Sequence, residues 1–388
     1  MKENHYGGSP VLLIDQDALD YNISLVRERS EKKNIRIVTK SLPSRKLLEY
    51  IAKNLKTRSF MEFHGPFLFE LFELSLGGPL DILMGKPLPV ECFESLFLGA
   101  TDDSKKRLIT EVKWLVDSKE RFLEYLKAFE KEGLSRYGKL KISLEVDVGL
   151  CRGGFETPRS LKDFLETIKT ESVQVTGLMG YDGHLGLGPS FLRAFEFGRI
   201  SKNYQAFAEV LEKNRKESEP FVFNGAGSRT FSFYKSLVND VAIGSGFLSP
   251  AHFKTGILKD HKAAVFIAAP ILKEEFLKKA PFLGKFLTKL LKIFLYPGYR
   301  HFFIYGGGWG EIEYPKGAKP GLFYNHGINK NLLPNQELIS VSGDFKGTRG
   351  NQVFYRPQES DILMNFNELI VVQGGNVIEK WSPFSRRL

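Results

Sequence analysis

Ile35-Arg36-Ile37-Val38-Thr39-Lys40-Ser41 is the stretch from which the rest of the chain is best read. Apolar β-formers alternate with polar residues, the period of a strand, and a lysine stands where the run ends. By itself a lysine there is a solvated strand end. The remainder of the chain gives it weight. Strand-like runs recur at 59–63, 81–84, 112–117, 140–146, 175–181, 220–224 and 240–244, with helix-patterned stretches such as 67–76, 119–131, 160–169 and 191–215 between them. Counted from Ile35 there are eight β units alternating with helices. That number predicts a parallel (β/α)8 barrel of the TIM type rather than an open doubly wound sheet, its rival if one strand is miscounted.

Upstream, Val11-Leu12-Leu13-Ile14-Asp15 reads as a compact strand leading into a helix with Leu19, Ile23 and Val26 at helical spacing. After about Pro250 the texture changes to short strand-like runs, at 264–268, 301–305, 338–341, 352–355 and 368–373, separated by Gly, Pro and Asn turns. Gly374-Gly375-Asn376 signals a hairpin. The expected organisation is therefore a barrel domain over 10–250 and a mostly-β C-terminal domain over 251–388, joined by residues 1–9.

A chain of 388 residues can hold both. Hydrophobic content of 42% and charged content of 26% are those of an ordinary folded protein, which excludes a disordered chain. The net charge of +10 suits anionic partners, but no nucleic-acid-binding signature accompanies it, so scattered lysines explain it and no nucleic-acid partner is expected. Cys92 and Cys151 are too few for a disulfide framework or a zinc site. The opening MKENHYGGSP lacks the apolar core of a signal peptide, and no run reaches the roughly 18 apolar residues of a membrane span. A cytoplasmic protein is expected.

The segment 273–300 fits neither pattern. Leu283, Phe286, Leu287, Leu290, Leu291, Phe294 and Leu295 form a helical stripe with Lys285, Lys289 and Lys292 between them. Such a basic amphipathic helix can lie on the inner face of a membrane, a peripheral contact through 276–295. The alternative is packing on the protein's own body or a partner subunit.

In barrels of this kind the reacting groups stand at the C-terminal ends of the strands, and the loops after strands seven and eight often hold phosphate. Here those loops read Asn224-Gly225-Ala226-Gly227-Ser228 and Gly244-Ser245-Gly246. Their glycines let backbone N–H groups approach an anion, and each loop adds a serine hydroxyl. Lys40 ends the first strand and would share that mouth. A phosphate cup near a lysine suggests pyridoxal 5'-phosphate bound as a Schiff base, or a sugar-phosphate site with Lys40 as its cation.

Four runs carry a resemblance: 13–22 (LIDQDALDYN), 36–41 (RIVTKS), 145–155 (EVDVGLCRGGF) and 177–184 (GLMGYDGH). Together with the two glycine loops they resemble the alanine-racemase-type, fold type III pyridoxal-phosphate enzymes, and within them the D-threonine-aldolase-like amino-acid deaminase/aldolase branch. The resemblance implies that Lys40 holds the cofactor. It sets Arg152 beside the cofactor's phenolic oxygen, where a permanent cation stabilises a phenolate; a loop arginine pairing with Glu145 or Asp147 is the plainer reading. It places Gly227, Ser228, Gly244, Ser245 and Gly246 around the phosphate. Tyr181 and His184 fall at the mouth, and His184 could serve as a general base.

Two departures bear on the reaction. Where racemases of this barrel carry an arginine next to the pyridine nitrogen, this chain has Ala242. Where metal-dependent D-threonine aldolases carry a His-x-Cys or His-x-Asp pair, it reads Arg356-Pro357-Gln358-Glu359-Ser360-Asp361, and Gln358 and Ser360 are poor transition-metal ligands. No metal site is expected. The implied function is a lyase or aldolase acting on a small β-hydroxy D-amino acid, as a homodimer. Deamination and racemisation are the alternatives, and a non-catalytic cofactor-binding protein on a membrane is the reading from another class.

Overall fold

The computed structural model describes residue 6 and residues 8–168, 171–186, 189–215, 219–254, 256–275, 284–295, 297–320 and 335–385. The chain forms two compact units, one built on Tyr21–Phe247 with Thr255–His261, the other on Met1–Asp20, Leu248–Lys254 and Lys262–Pro383. After β1 (Val11–Asp15) and α1 (Gln16–Arg29) come β2 (Asn34–Val38), α2 (Arg45–Leu55), β3 (Ser59–Glu62), α3 (Phe67–Phe72), β4 (Asp81–Met84), α4 (Val90–Phe97), α5 (Asp102–Thr110) and β5 (Val112–Val116). The chain continues through α6 (Lys119–Lys131), β6 (Leu140–Glu145), α7 (Pro158–Thr167), β7 (Val173–Gly180), α8 (Ser190–Lys213), β8 (Val222–Gly225), β9 (Asp240–Ile243) and the single turn α9 (Ser245–Leu248).

Strands β2 to β9 form a closed parallel barrel in chain order. The pairs Ile35↔Val241 and Ile37↔Ile243 close it. The expected barrel is present, and the open sheet is excluded. Its helices start where the sequence supplies caps. Ser118 accepts from the Arg121 N–H at the head of α6, and Thr157 and Ser160 form a capping box at α7 with Pro158 at its first position. Between strands and helices, Phe93 packs with ring centroids 4.7 Å from both Trp114 and Tyr125. The buried Tyr125 hydroxyl is satisfied by donating to Leu88 O at 2.8 Å and accepting from Leu88 N at 2.7 Å.

The polar member of the β2 alternation points into the barrel. Arg36 is 0% exposed. Its Nε and Nη2 donate to Asp240, its Nη1 to Phe60 O and Asp81, and Nη2 also reaches Asp81, at 2.8–3.2 Å. Lys113 Nζ donates to Asp81 at 2.7 Å, and Asn224 to Asp240. The two carboxylates raise the Arg36 pKa against the opposing effect of burial. This charged layer fills the end of the barrel at which the strands begin.

In the second unit β10 (Val265–Glu275), α10 (Lys285–Leu295), β11 (Tyr299–Tyr305), β12 (Glu311–Tyr314), β13 (Lys319–Pro320), β14 (Gln336–Ser342), β15 (Gln352–Arg356), β16 (Leu369–Gln373) and β17 (Asn376–Trp381) follow. All these strands and β1 make one nine-stranded sheet. The mostly-β character expected after Pro250 is present, as is the hairpin at Gly374-Gly375, where both glycines have positive φ, 56° and 87°. β1, within the 10–250 stretch of the sequence reading, lies in this sheet, antiparallel to β10 and parallel to β16. Leu12, Leu13 and Ile14 are each 0% exposed there. Of the first nine residues, 1–5 and 7 lie outside the described residues, as do Leu283 and the rest of 276–283.

Candidate active site

Lys40 lies in a 3₁₀ turn, Thr39–Ser41, directly after β2. Its Nζ stands 4.4 Å from the centroid of the Phe63 ring, a cation–π contact worth about 0.5–1 kcal/mol. Phe63 can lie there because residue 85 is glycine: a Cβ at Gly85 would come within 2.4 Å of the ring. His64 adjoins Phe63, and burial together with the charges of Lys86 and Lys40 holds its pKa below the ordinary value.

Glu62 ends β3 and is 0% exposed. Its Oε1 accepts from the N–H groups of Phe63 at 2.7 Å and His64 at 2.9 Å. Its Oε2 lies 2.5 Å from Thr39 Oγ1, which lies 2.9 Å from Met61 O. Thr39 has one hydroxyl hydrogen and faces two acceptors, so both contacts are satisfied together when Glu62 carries a proton. Burial pushes the Glu62 carboxyl up to about 7, in agreement.

Across the mouth the two glycine loops meet. The N–H groups of Gly244 and Gly246 converge on Ser228 Oγ at 3.2 and 3.1 Å. Ser245 Oγ donates to Ser41 Oγ at 3.2 Å, tying this loop to the residue after Lys40. A Cβ at Gly244 would lie 2.9 Å from Val38 Cβ, and one at Gly227 would lie 3.1 Å from the Tyr181 ring. The loop after β8 is held by Asp182, which is 0% exposed and accepts from Thr230 at 2.8 Å and Tyr234 at 2.9 Å, while Thr230 Oγ1 accepts from Gly227 N at 3.0 Å. Converging backbone donors, serine hydroxyls and positions closed to a Cβ are what a phosphate cradle requires. The residues present fit a phosphorylated cofactor.

Arg152 Nη2 donates to Glu145 Oε1 at 3.2 Å, the plainer pairing expected from the sequence, and its guanidinium carbon stands 4.9 Å from the Tyr181 ring centroid. Arg152 thus joins Tyr181 at the mouth. His184 is oriented by Glu196 on α8: Nε2 to Oε1 is 2.9 Å, and Arg199 donates to the same oxygen at 2.7 Å. A carboxylate accepting at Nε2 keeps the proton there, which leaves Nδ1 as an acceptor. Nδ1 is buried and has no hydrogen-bond partner among the described residues.

Ala242 is 5% exposed and its neighbour on β2 is Arg36, but every guanidinium donor of Arg36 is directed to Asp81, Asp240 or Phe60 O. It does not replace the missing arginine. Around Gln358 and Ser360, His252 Nδ1 and the Glu359 carboxylate are 2.8 Å apart, and the described residues hold no group of three or more metal-ligating side chains. Glu62, His64, Lys86 and Glu196 were absent from the sequence reading. For the first three the available signal was position, since each stands at or just past the end of a barrel strand.

The model of the alanine racemase N-terminal domain family matches residues 14–248, well over half of the chain. The chain belongs to this family. Its members are pyridoxal-phosphate enzymes of fold type III. No curated protein sequence matches the chain. Among solved structures it is similar to D-threonine aldolase from Filomicrobium marinum, at 16% identity and TM-score 0.69, covering 97% of this chain and 96% of that one. It is similar to D-threo-3-hydroxyaspartate dehydratase from Delftia sp. HT23, at 14% identity and TM-score 0.72, covering 98% and 99%. Alanine racemase of Clostridium difficile 630 is a further match, at 15% identity and TM-score 0.67, covering 96% and 98%. Identities this low show a shared fold.

Proposed function

We propose that the protein is a pyridoxal-phosphate-dependent lyase that splits a small β-hydroxy D-amino acid. The observation carrying this reading is the pairing of Lys40 with the glycine cradle through the Ser245–Ser41 contact. In it, Lys40 supplies the amine that holds the cofactor, and Gly227, Ser228, Gly244, Ser245 and Gly246 bind its phosphate. Arg152 balances the negative charge of the ring oxygen. When bound, the cofactor is an electron sink for the pair left at Cα. His184, oriented by Glu196, is the base that takes the proton of the substrate's β-hydroxyl. Tyr181, against Gly227 and Arg152, covers the mouth and returns a proton to Cα.

Two features support cleavage over racemisation. The racemase arginine is replaced by Ala242, and His184 is already set as a base by a carboxylate. The test is a screen of D- and L-β-hydroxy amino acids, reading aldehyde, ammonia and chirality separately. Aldehyde with glycine from a D-substrate is the expected product. Ammonia with a keto acid would make the protein a deaminase, and a racemised substrate a racemase. Either would overturn the lyase reading.

A further inference from the structure

We propose that α10 docks on an anionic lipid bilayer. The observation is a helix whose outward face is apolar and is edged on one side by lysines. Phe286, Leu287, Ile293 and Phe294 are 77%, 44%, 53% and 77% exposed. At about 100° per residue these four and Leu290 share one face. The opposite side is turned away from solvent, with Thr288 3% exposed. Of the expected stripe, Phe286, Leu287 and Phe294 are therefore exposed.

Charge decides the occupant. Lys285 and Lys289 are exposed along one edge of the apolar face, and Lys292 continues their spacing. The stretch 276–299 carries five lysines and no Asp or Glu. A second copy packing on this face would bring lysine against lysine, and a protein partner would have to supply an acidic rim. A bilayer offers both complements at once, acyl chains for Phe286 and Phe294 and phosphate head groups for the lysines. No described helix is long and apolar enough to cross a membrane, so the contact is that of a helix lying in the interface.

The test is flotation of the full chain with vesicles of equimolar phosphatidylglycerol and phosphatidylcholine, and with phosphatidylcholine alone. Binding to the anionic vesicles is expected, weakening as salt rises. Combining Phe286→Ser with Phe294→Ser is expected to weaken it roughly tenfold or more, and Lys285→Glu roughly fivefold or more. These side chains are exposed, and an unchanged thermal unfolding curve confirms that the variants fold. No flotation of the parent protein would overturn the proposal. So would loss on charge reversal with none in the phenylalanine pair, which would mean adsorption by charge alone. A change of molecular mass in the phenylalanine pair without vesicle binding by the parent would assign the face to self-association instead.

Discussion

In the folded protein the Glu62 carboxyl is raised to about 7 from an ordinary value of 4.5. The folded state therefore favours the protonated form. The stability this supplies is complete below the unfolded value and is lost as pH rises through about 7. The predicted loss between those limits is about 3 kcal/mol. In Glu62→Gln the carboxamide can still accept from Phe63 and His64 and donate to Thr39, so that component of the pH dependence should vanish. Urea unfolding of both proteins at acid and mildly alkaline pH checks this; parallel curves would contradict it. At His184, Glu196→Gln should lower turnover roughly 100-fold with little effect on KM, because the neutral amide no longer stabilises the imidazolium formed when His184 takes a proton. Lys40, Arg152, Tyr181, His184 and the glycines were legible because each sits in a motif with neighbours of the right kind. Glu62 and Glu196 were not. Nothing in Ser59-Phe60-Met61-Glu62 marks the carboxyl as buried, and Glu196 meets His184 across one turn of loop and helix.

Among the elements, the barrel strands were legible from alternation and spacing, and α6 from the helical pattern of 119–131. What alternation did not reveal is the direction of each face: Ile35 and Ile37 pack outward and Arg36 inward. Arg36→Met should cost about 3–5 kcal/mol, since Asp240 would stay buried without its cation; a melting curve unchanged from the parent would contradict this. β1 shows a related limit. A short apolar run buried on both faces has no address in the sequence, and only pairing with β10 and β16 assigns it to the sheet. For the loop after β9, Gly244→Ala should abolish phosphate binding while the protein still folds, because the methyl group meets Val38 and Ser41 and pushes the loop aside. Retained affinity for pyridoxal phosphate in that variant would show that the cradle lies elsewhere.

On the scale of the whole molecule, we also propose a homodimer. Phe191 and Phe195 on α8 are 79% and 76% exposed and Leu192 is 47% exposed, a compact apolar patch of the kind that marks an interface. Light scattering should give twice the chain mass, and Phe195→Glu should return it to the monomer. The two-part architecture could be read from the change of texture near Pro250, whereas the chemistry rests on side chains that only the closed barrel brings together. The central claim is that Lys40 holds pyridoxal phosphate, and one measurement addresses it directly. The protein is loaded with pyridoxal phosphate, reduced with borohydride and digested, and the modified peptide is identified by mass spectrometry. An absorbance band at about 420 nm that bleaches on reduction, with the phosphopyridoxyl group on Lys40 and neither in Lys40→Ala, is the predicted result. No band, or a label on another lysine, would contradict the account.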